Sequence, residues 1–170
     1  MGFDISSQNK TGLDLTMSEA IEIGDYARFN IDAWPMLLRM ARSYGWKPAG
    51  TQPGPDYADH NLKPTVEWDG TYLTNDGQVV MAEDAAALAD AIERALPDIP
   101  DHEITGKMVS LRPDQLKSEI DLAFRDLIAE GMSLIATNPD MSPYELFSGE
   151  MKQQVIGFIK LCRKGSFAIW

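Results

Sequence analysis

A chain of 170 residues with 44% hydrophobic and 24% charged side chains is long enough to bury one core and too apolar to be disordered, so a single domain over 1–170 is expected. Its formal net charge of −11 argues against nucleic acid as a general partner, because phosphates would be repelled over most of the surface. A lone cysteine, Cys162, excludes an intrachain disulfide. Met1-Gly2-Phe3-Asp4 lacks the pattern of a signal peptide and no apolar run nears membrane-spanning length, so a cytoplasmic protein without membrane contact is expected.

Phe3 to Ile5 reads as a short strand, followed by a polar stretch in which Thr16 to Ile23 has room for one or two helical turns. Ala27 to Ile31 alternates apolar and polar residues, the mark of a half-buried strand. Asp32 to Tyr44 reads as a helix, because Trp34, Leu37, Leu38, Ala41 and Tyr44 recur at steps of three and four. Pro35 is tolerated only in its first turn, and Gly45 stops it, with Trp46 folding back on the last turn. Lys47 to Pro64 is a loop rich in proline and glycine.

Turn chemistry then becomes dense. Asp69-Gly70 signals a two-residue hairpin and Asn75-Asp76-Gly77 a three-residue one, with short β-prone runs at Val66 to Trp68, Tyr72 to Thr74 and Gln78 to Val80. The expectation is an antiparallel meander over about 65–80, leading into an alanine-rich helix marked by Ala85, Leu88, Ala89, Ile92 and Leu96. Asp101-His102-Glu103 lies in the loop that follows. A longer helix is expected from Pro113 to about Thr137, with Leu116, Ile120, Phe124 and Leu127 on one face. Ser142-Pro143-Tyr144-Glu145 is a capping box, introducing a short turn and a helix to Lys164 with Val155, Phe158, Ile159 and Cys162 inward. Phe167 to Trp170 reads as a terminal strand that must pair with a sheet, Phe167 and Ile169 facing the helices. The fold expected is therefore α+β: a small, mostly antiparallel sheet covered by about four helices.

Some of these runs resemble those of small uncharacterised bacterial cytosolic proteins: Met1 to Asp4, Tyr26 to Arg28, Trp34-Pro35, Trp68 to Gln78, Asp84 to Ala89 and Phe158 to Phe167. The resemblance implies a bacterial cytosolic origin and carries no activity with it.

Chemistry is sparse. The two histidine-bearing loops, Asp56/Asp59/His60 and Asp101/His102/Glu103, hold the residue types for general acid and base work or for a divalent metal on His60, His102, Asp59 and Asp101. Neither contains an established ligand motif, and exposed turn residues are the simpler reading; no cofactor is expected. Placing Gly77 as the glycine of a calcium loop puts Tyr72 at its first ligand position, so a hairpin is the better reading there. Cys162 falls on the inward stripe of its helix, which suits a buried thiol better than a nucleophile. Trp46, Tyr57 and Trp68 flank the long loop and are candidates for an aromatic-lined ligand cleft.

Charge is the remaining signal. Glu67 to Glu103 holds ten acidic side chains against one basic, Arg94, whereas Met151 onward holds four basic and no acidic ones. The function expected is a non-enzymatic protein-interaction module, immunity- or antitoxin-like, that meets a basic protein partner through Glu67, Asp69, Asp76, Glu83, Asp84, Asp90 and Glu93. A metal-dependent hydrolase and a small-ligand binder are the alternatives. Oligomeric state is not readable.

Overall fold

Phe3, Ile5 and Ser7 are buried while the residues between them are half-exposed, and buried Ala27 and Phe29 alternate with exposed Arg28 and Asn30. That period of two lays β1 (Gly2–Ser7) and β2 (Tyr26–Asn30) down as an antiparallel pair, Phe3 opposite Phe29 and Ile5 opposite Ala27. The computed structural model describes residues 2–54, 70–104 and 142–170. In it, β3 (Thr51–Gln52), β4 (Gln78–Val80) and β5 (Phe167–Ile169) extend the pair into a five-stranded antiparallel sheet of order β2-β1-β5-β4-β3. The last strand is thus the central one. Phe167 and Ile169 pair with Ser7 and Ile5 and share their face, as the alternation predicts.

Five α-helices among the described residues join the sheet: α1 (Met17–Ile23), α2 (Ala33–Ser43), α3 (Ala82–Ala95), α4 (Pro143–Leu146) and α5 (Glu150–Arg163). The architecture is α+β. Local chemistry marks the end of α2 and the starts of α1 and α4. Gly45 (φ +92°) follows α2, its N–H bonding Arg42 O at 3.0 Å and that of Trp46 bonding Ala41 O at 3.0 Å, the paired bonds of a glycine-terminated helix end. Reciprocal capping boxes start α1 (Thr16 with Glu19) and α4 (Ser142 with Glu145).

Packing centres on aromatic rings. Phe158 of α5 meets Phe29, Trp34 and Phe167 edge-on, with centroids 5.6, 5.4 and 5.6 Å apart. Each such side chain, withdrawn from water, contributes on the order of 2 kcal/mol. α5 lies against α3 on one side and α1 on the other. The α1 contact is close: a Cβ on Gly157 would stand 3.1 Å from Ile21 O, and one on Gly24 2.7 Å from Leu161 N.

The meander takes a different form from the one its residues suggest. Tyr72 to Thr74 is not a strand; Tyr72 has φ +66°, a left-handed conformation that breaks any extended run. β4 pairs instead with Thr51–Gln52, so the ribbon is closed from the proline-rich loop rather than across a tight turn. Val66 to Trp68, Asp69 and the helix expected over Pro113 to Thr137 lie outside the described residues.

Candidate functional site

A buried polar network centres on the Asp84 carboxylate in the first turn of α3 and on Gln78 of β4. Asp84 is 4% exposed, and accepts the Trp46 indole N–H at 2.9 Å and the Ala49 amide at 3.3 Å on Oδ1, and the Tyr72 hydroxyl at 2.5 Å on Oδ2. Tyr72 is held at both ends. Its hydroxyl accepts the Gly50 amide at 2.7 Å, its N–H donates to Gln78 Oε1 at 3.1 Å, and its carbonyl receives the Trp34 indole N–H at 2.8 Å. Gln78 closes the circuit through Thr51 Oγ1 (2.7 Å) and Thr74 O (2.6 Å). Burial, then the hydrogen bond to Asp84, raises the Tyr72 phenol well above its ordinary pKa, so it stays a proton donor. Every polar atom named here has a partner. The network binds 49–51, 72–78 and α3 together and leaves no group aimed at an open space, which is the behaviour of scaffold.

Asp84 is therefore no part of an exposed acidic face, contrary to the sequence expectation. A carboxylate in the first turn of a helix is favourable in solvent at the positive end of the dipole, but here tertiary hydrogen bonds draw it inward. Of the other residues expected to meet a partner, Glu67 and Asp69 lie outside the described residues, and Asp76 bonds Thr74 Oγ1 (3.0 Å) and the Gln78 amide (3.3 Å) in its own turn. Asp90 and Glu93, on the exposed side of α3, share Arg163 of α5 at 2.5 and 2.7 Å. Glu83 is exposed without a partner among the described residues.

Trp46 also departs from its expected role. It is 3% exposed and meets Tyr72 edge-on at 5.3 Å, so it closes a core rather than lining a cleft. Its companions Tyr57 and Trp68 lie outside the described residues, as do Asp56, Asp59 and His60. His102, Asp101 and Glu103 stand exposed on a turn, with the Asp101 carboxylate taken by Lys152 at 2.7 Å. Among the described residues, no three His, Cys, Asp or Glu side chains come together as a metal would require. Cys162 is buried, and burial pushes its thiol well above the ordinary range.

Several cations among the described residues have internal partners. Besides the pairs above, Arg28 faces Asp4 at 3.6 Å, and Lys164 pairs with buried Asp25, which the Lys164 and Thr11 hydrogen bonds hold at about 2. Lys160 donates to Glu22 O at 3.0 Å and Arg94 to Tyr44 O at 2.7 Å. Asp14, Glu22, Glu83, Glu103 and Glu150 are all exposed, and their carboxylates have no ion pair among the described residues. Lys10, Arg39 and Lys47 are exposed as well and have no ion pair among the described residues, so unpaired charges of both signs stand on the described surface.

Sequence reasoning missed one concavity altogether. A cleft of about 430 Å³ lies where α1, the outer margin of β2 and the start of α5 meet, with Met17, Ile21, Ala27 and Met151 as its apolar lining and Arg28 and Asn30 at its polar side. The alternation of 26–30 identifies a strand without telling that it will be an outermost one, so no sequence signal marks this place. No protein-family model, curated protein or solved structure matches the chain.

Proposed function

We propose that this protein is a non-enzymatic interaction module for a basic protein partner, of the kind that neutralises a toxin or holds a charged protein in check. What supports this reading is the formal net charge of −11 together with the exposed carboxylates Asp14, Glu22, Glu83, Glu103 and Glu150, which have no ion pair among the described residues. Complementary fields speed encounter and penalise wrong partners, and such attraction is screened over about 8 Å at physiological salt.

Immobilised protein, exposed to lysate of its own host at low and at high salt, tests the reading. The expected result is a basic protein retained at low salt, released by salt, and retained less by a Glu83→Lys, Glu103→Lys double variant. Retention indifferent to salt and to both charge reversals would overturn it.

A further inference from the structure

The connection between β1 and β2 is clamped at its ends and loose between them. Ser7 and Asp25 are both buried, and the Ser7 amide donates to Asp25 O at 3.0 Å, continuing the β1–β2 ladder by one rung. From 8 to 23 not one residue is buried, and Leu13 and Met17 are 67% and 59% exposed. Fixing backbone costs free energy that buried apolar area usually offsets, and here only Leu15, Ala20, Ile21 and Ile23 are even half-buried. A surface excursion whose ends are already held together can leave the fold without breaking a rung of the sheet.

Polar side chains hold the excursion down instead. Asp25 Oδ2 accepts both the Thr11 amide at 3.0 Å and the Thr11 hydroxyl at 2.6 Å. Asn9 Nδ2 donates to Lys164 O at 2.7 Å, and Lys160 Nζ to Glu22 O at 3.0 Å. α1 itself rests on α5 through glycines rather than through buried side chains. Gly24, at φ +78°, lies so close that a Cβ there would stand 2.7 Å from Leu161 N, and Gly157 leaves room for Ile21 O. This contact is at the C-terminal end of α1, whereas Met17 at the other end is exposed. Met17 and Ile21 are also the part of the cleft lining that α1 supplies.

We propose that residues 8–23 form a flap, pivoting at Gly24 and latched by Thr11 on Asp25, that lifts from α5 and β2 while the sheet stays intact and so opens the α1 wall of the cleft. The flap stands independently of the charge reading above. Asp25 serves it twice, since the pair with Lys164 fixes the carboxylate and the fixed carboxylate receives the latch. α1 has seven residues, too few to persist as a helix once undocked, so lifting and loss of its hydrogen bonds are one event.

Native-state amide exchange, followed by NMR at rising sub-denaturing guanidinium, reads that event. The amides of Ala20 to Ile23 are expected to exchange roughly a hundredfold or more faster than those of Ala27 and Phe29, which the ladder bonds to β1. Their exchange is also expected to depend little on denaturant, because lifting the flap uncovers little surface. Thr11→Val keeps the shape of the side chain and the Asp25–Lys164 pair but removes the hydroxyl bond. It is expected to speed exchange across α1 about tenfold and to leave Ala27 and Phe29 as they are.

Exchange at Ala20 to Ile23 that matches Ala27 and Phe29 in rate and in denaturant dependence would show that α1 leaves only when the whole fold does, and would overturn the flap. Fast exchange in α1 that Thr11→Val does not move would overturn the latch. Acceleration of α1 and β2 alike by Thr11→Val would make Thr11 a support of the whole fold and overturn the proposal as well.

Discussion

The Asp84 carboxylate lies in the first turn of α3 yet points to the core, where it receives the Tyr72 hydroxyl at 2.5 Å. This contact helps hold a tyrosine at φ +66°, in a segment from 70 to 76 that forms no strand. Strain of roughly 1 kcal/mol at a left-handed non-glycine residue is offset by the bonds that residue makes at its N–H, carbonyl and hydroxyl.

Tyr72→Phe is expected to lower stability by roughly 2 kcal/mol, because it strands both the Asp84 oxygen and the Gly50 amide in a buried setting. Urea denaturation followed by tryptophan fluorescence measures it; a loss of only a few tenths would show that the network is not under tension.

Asp25 supplies a pH signature. Its carboxyl, held at about 2 by Lys164 and Thr11, lies below the usual value of about 3.9 in the unfolded chain. A depressed folded value means stability that is present above the unfolded value and lost as pH falls through the folded one. Asp25→Asn is therefore expected to cost about 2 kcal/mol at pH 7, with the gap to the parent protein narrowing between pH 4 and 2. A gap that stays constant over that range would refute the assignment.

Asp32 should behave in the opposite sense. It is 7% exposed, its Oδ1 has no hydrogen-bond partner, and burial raises its pKa. The adjacent cap is made by Asn30, whose Oδ1 accepts the Asp32 and Ala33 amides at 3.1 and 2.6 Å. Attraction to the α2 dipole is worth about 0.3–1 kcal/mol, against roughly 1–3 kcal/mol for a buried unsatisfied acceptor, so desolvation wins. A raised folded value means a penalty that is absent in acid and grows as pH rises. Asp32→Asn is expected to stabilise the protein by about 1 kcal/mol at pH 7 and to change little at pH 3. Asn30→Ala is expected to destabilise by about 1 kcal/mol at both.

Cys162 is expected to react with a thiol reagent only as fast as the protein opens, and at once in guanidinium. Rapid stoichiometric labelling of the native protein would show an accessible thiolate and reopen its candidacy as a nucleophile.

Much of this architecture is written in local pattern. Trp34, Leu37, Leu38 and Ala41 announce α2 through spacing alone, and Ser142 with Glu145 announces α4 through capping chemistry. What stays hidden is decided at long range. Tyr72 to Thr74 has the residue types of a strand, but a buried carboxylate twelve residues on captures its hydroxyl. Thr51–Gln52 has too few residues to alternate, and becomes a strand only because β4 needs a partner. Asp84 looks like any first-turn acid until Trp46 and Tyr72 converge on it. The cleft beside β2 depends on which strand ends up outermost, and that is a property of the whole sheet.

The central position of β5 sets a timetable for synthesis. Until Phe167 to Ile169 have left the ribosome, the nascent chain holds two separate ribbons, β1 with β2 and β3 with β4, and nothing joins them edge to edge. Assembly of the full sheet therefore depends on pairings distant in sequence, Ile5 with Ile169 on one side of β5 and Val80 with Phe167 on the other. A chain lacking Phe167 to Ile169 would keep both ribbons and lose the strand that joins them.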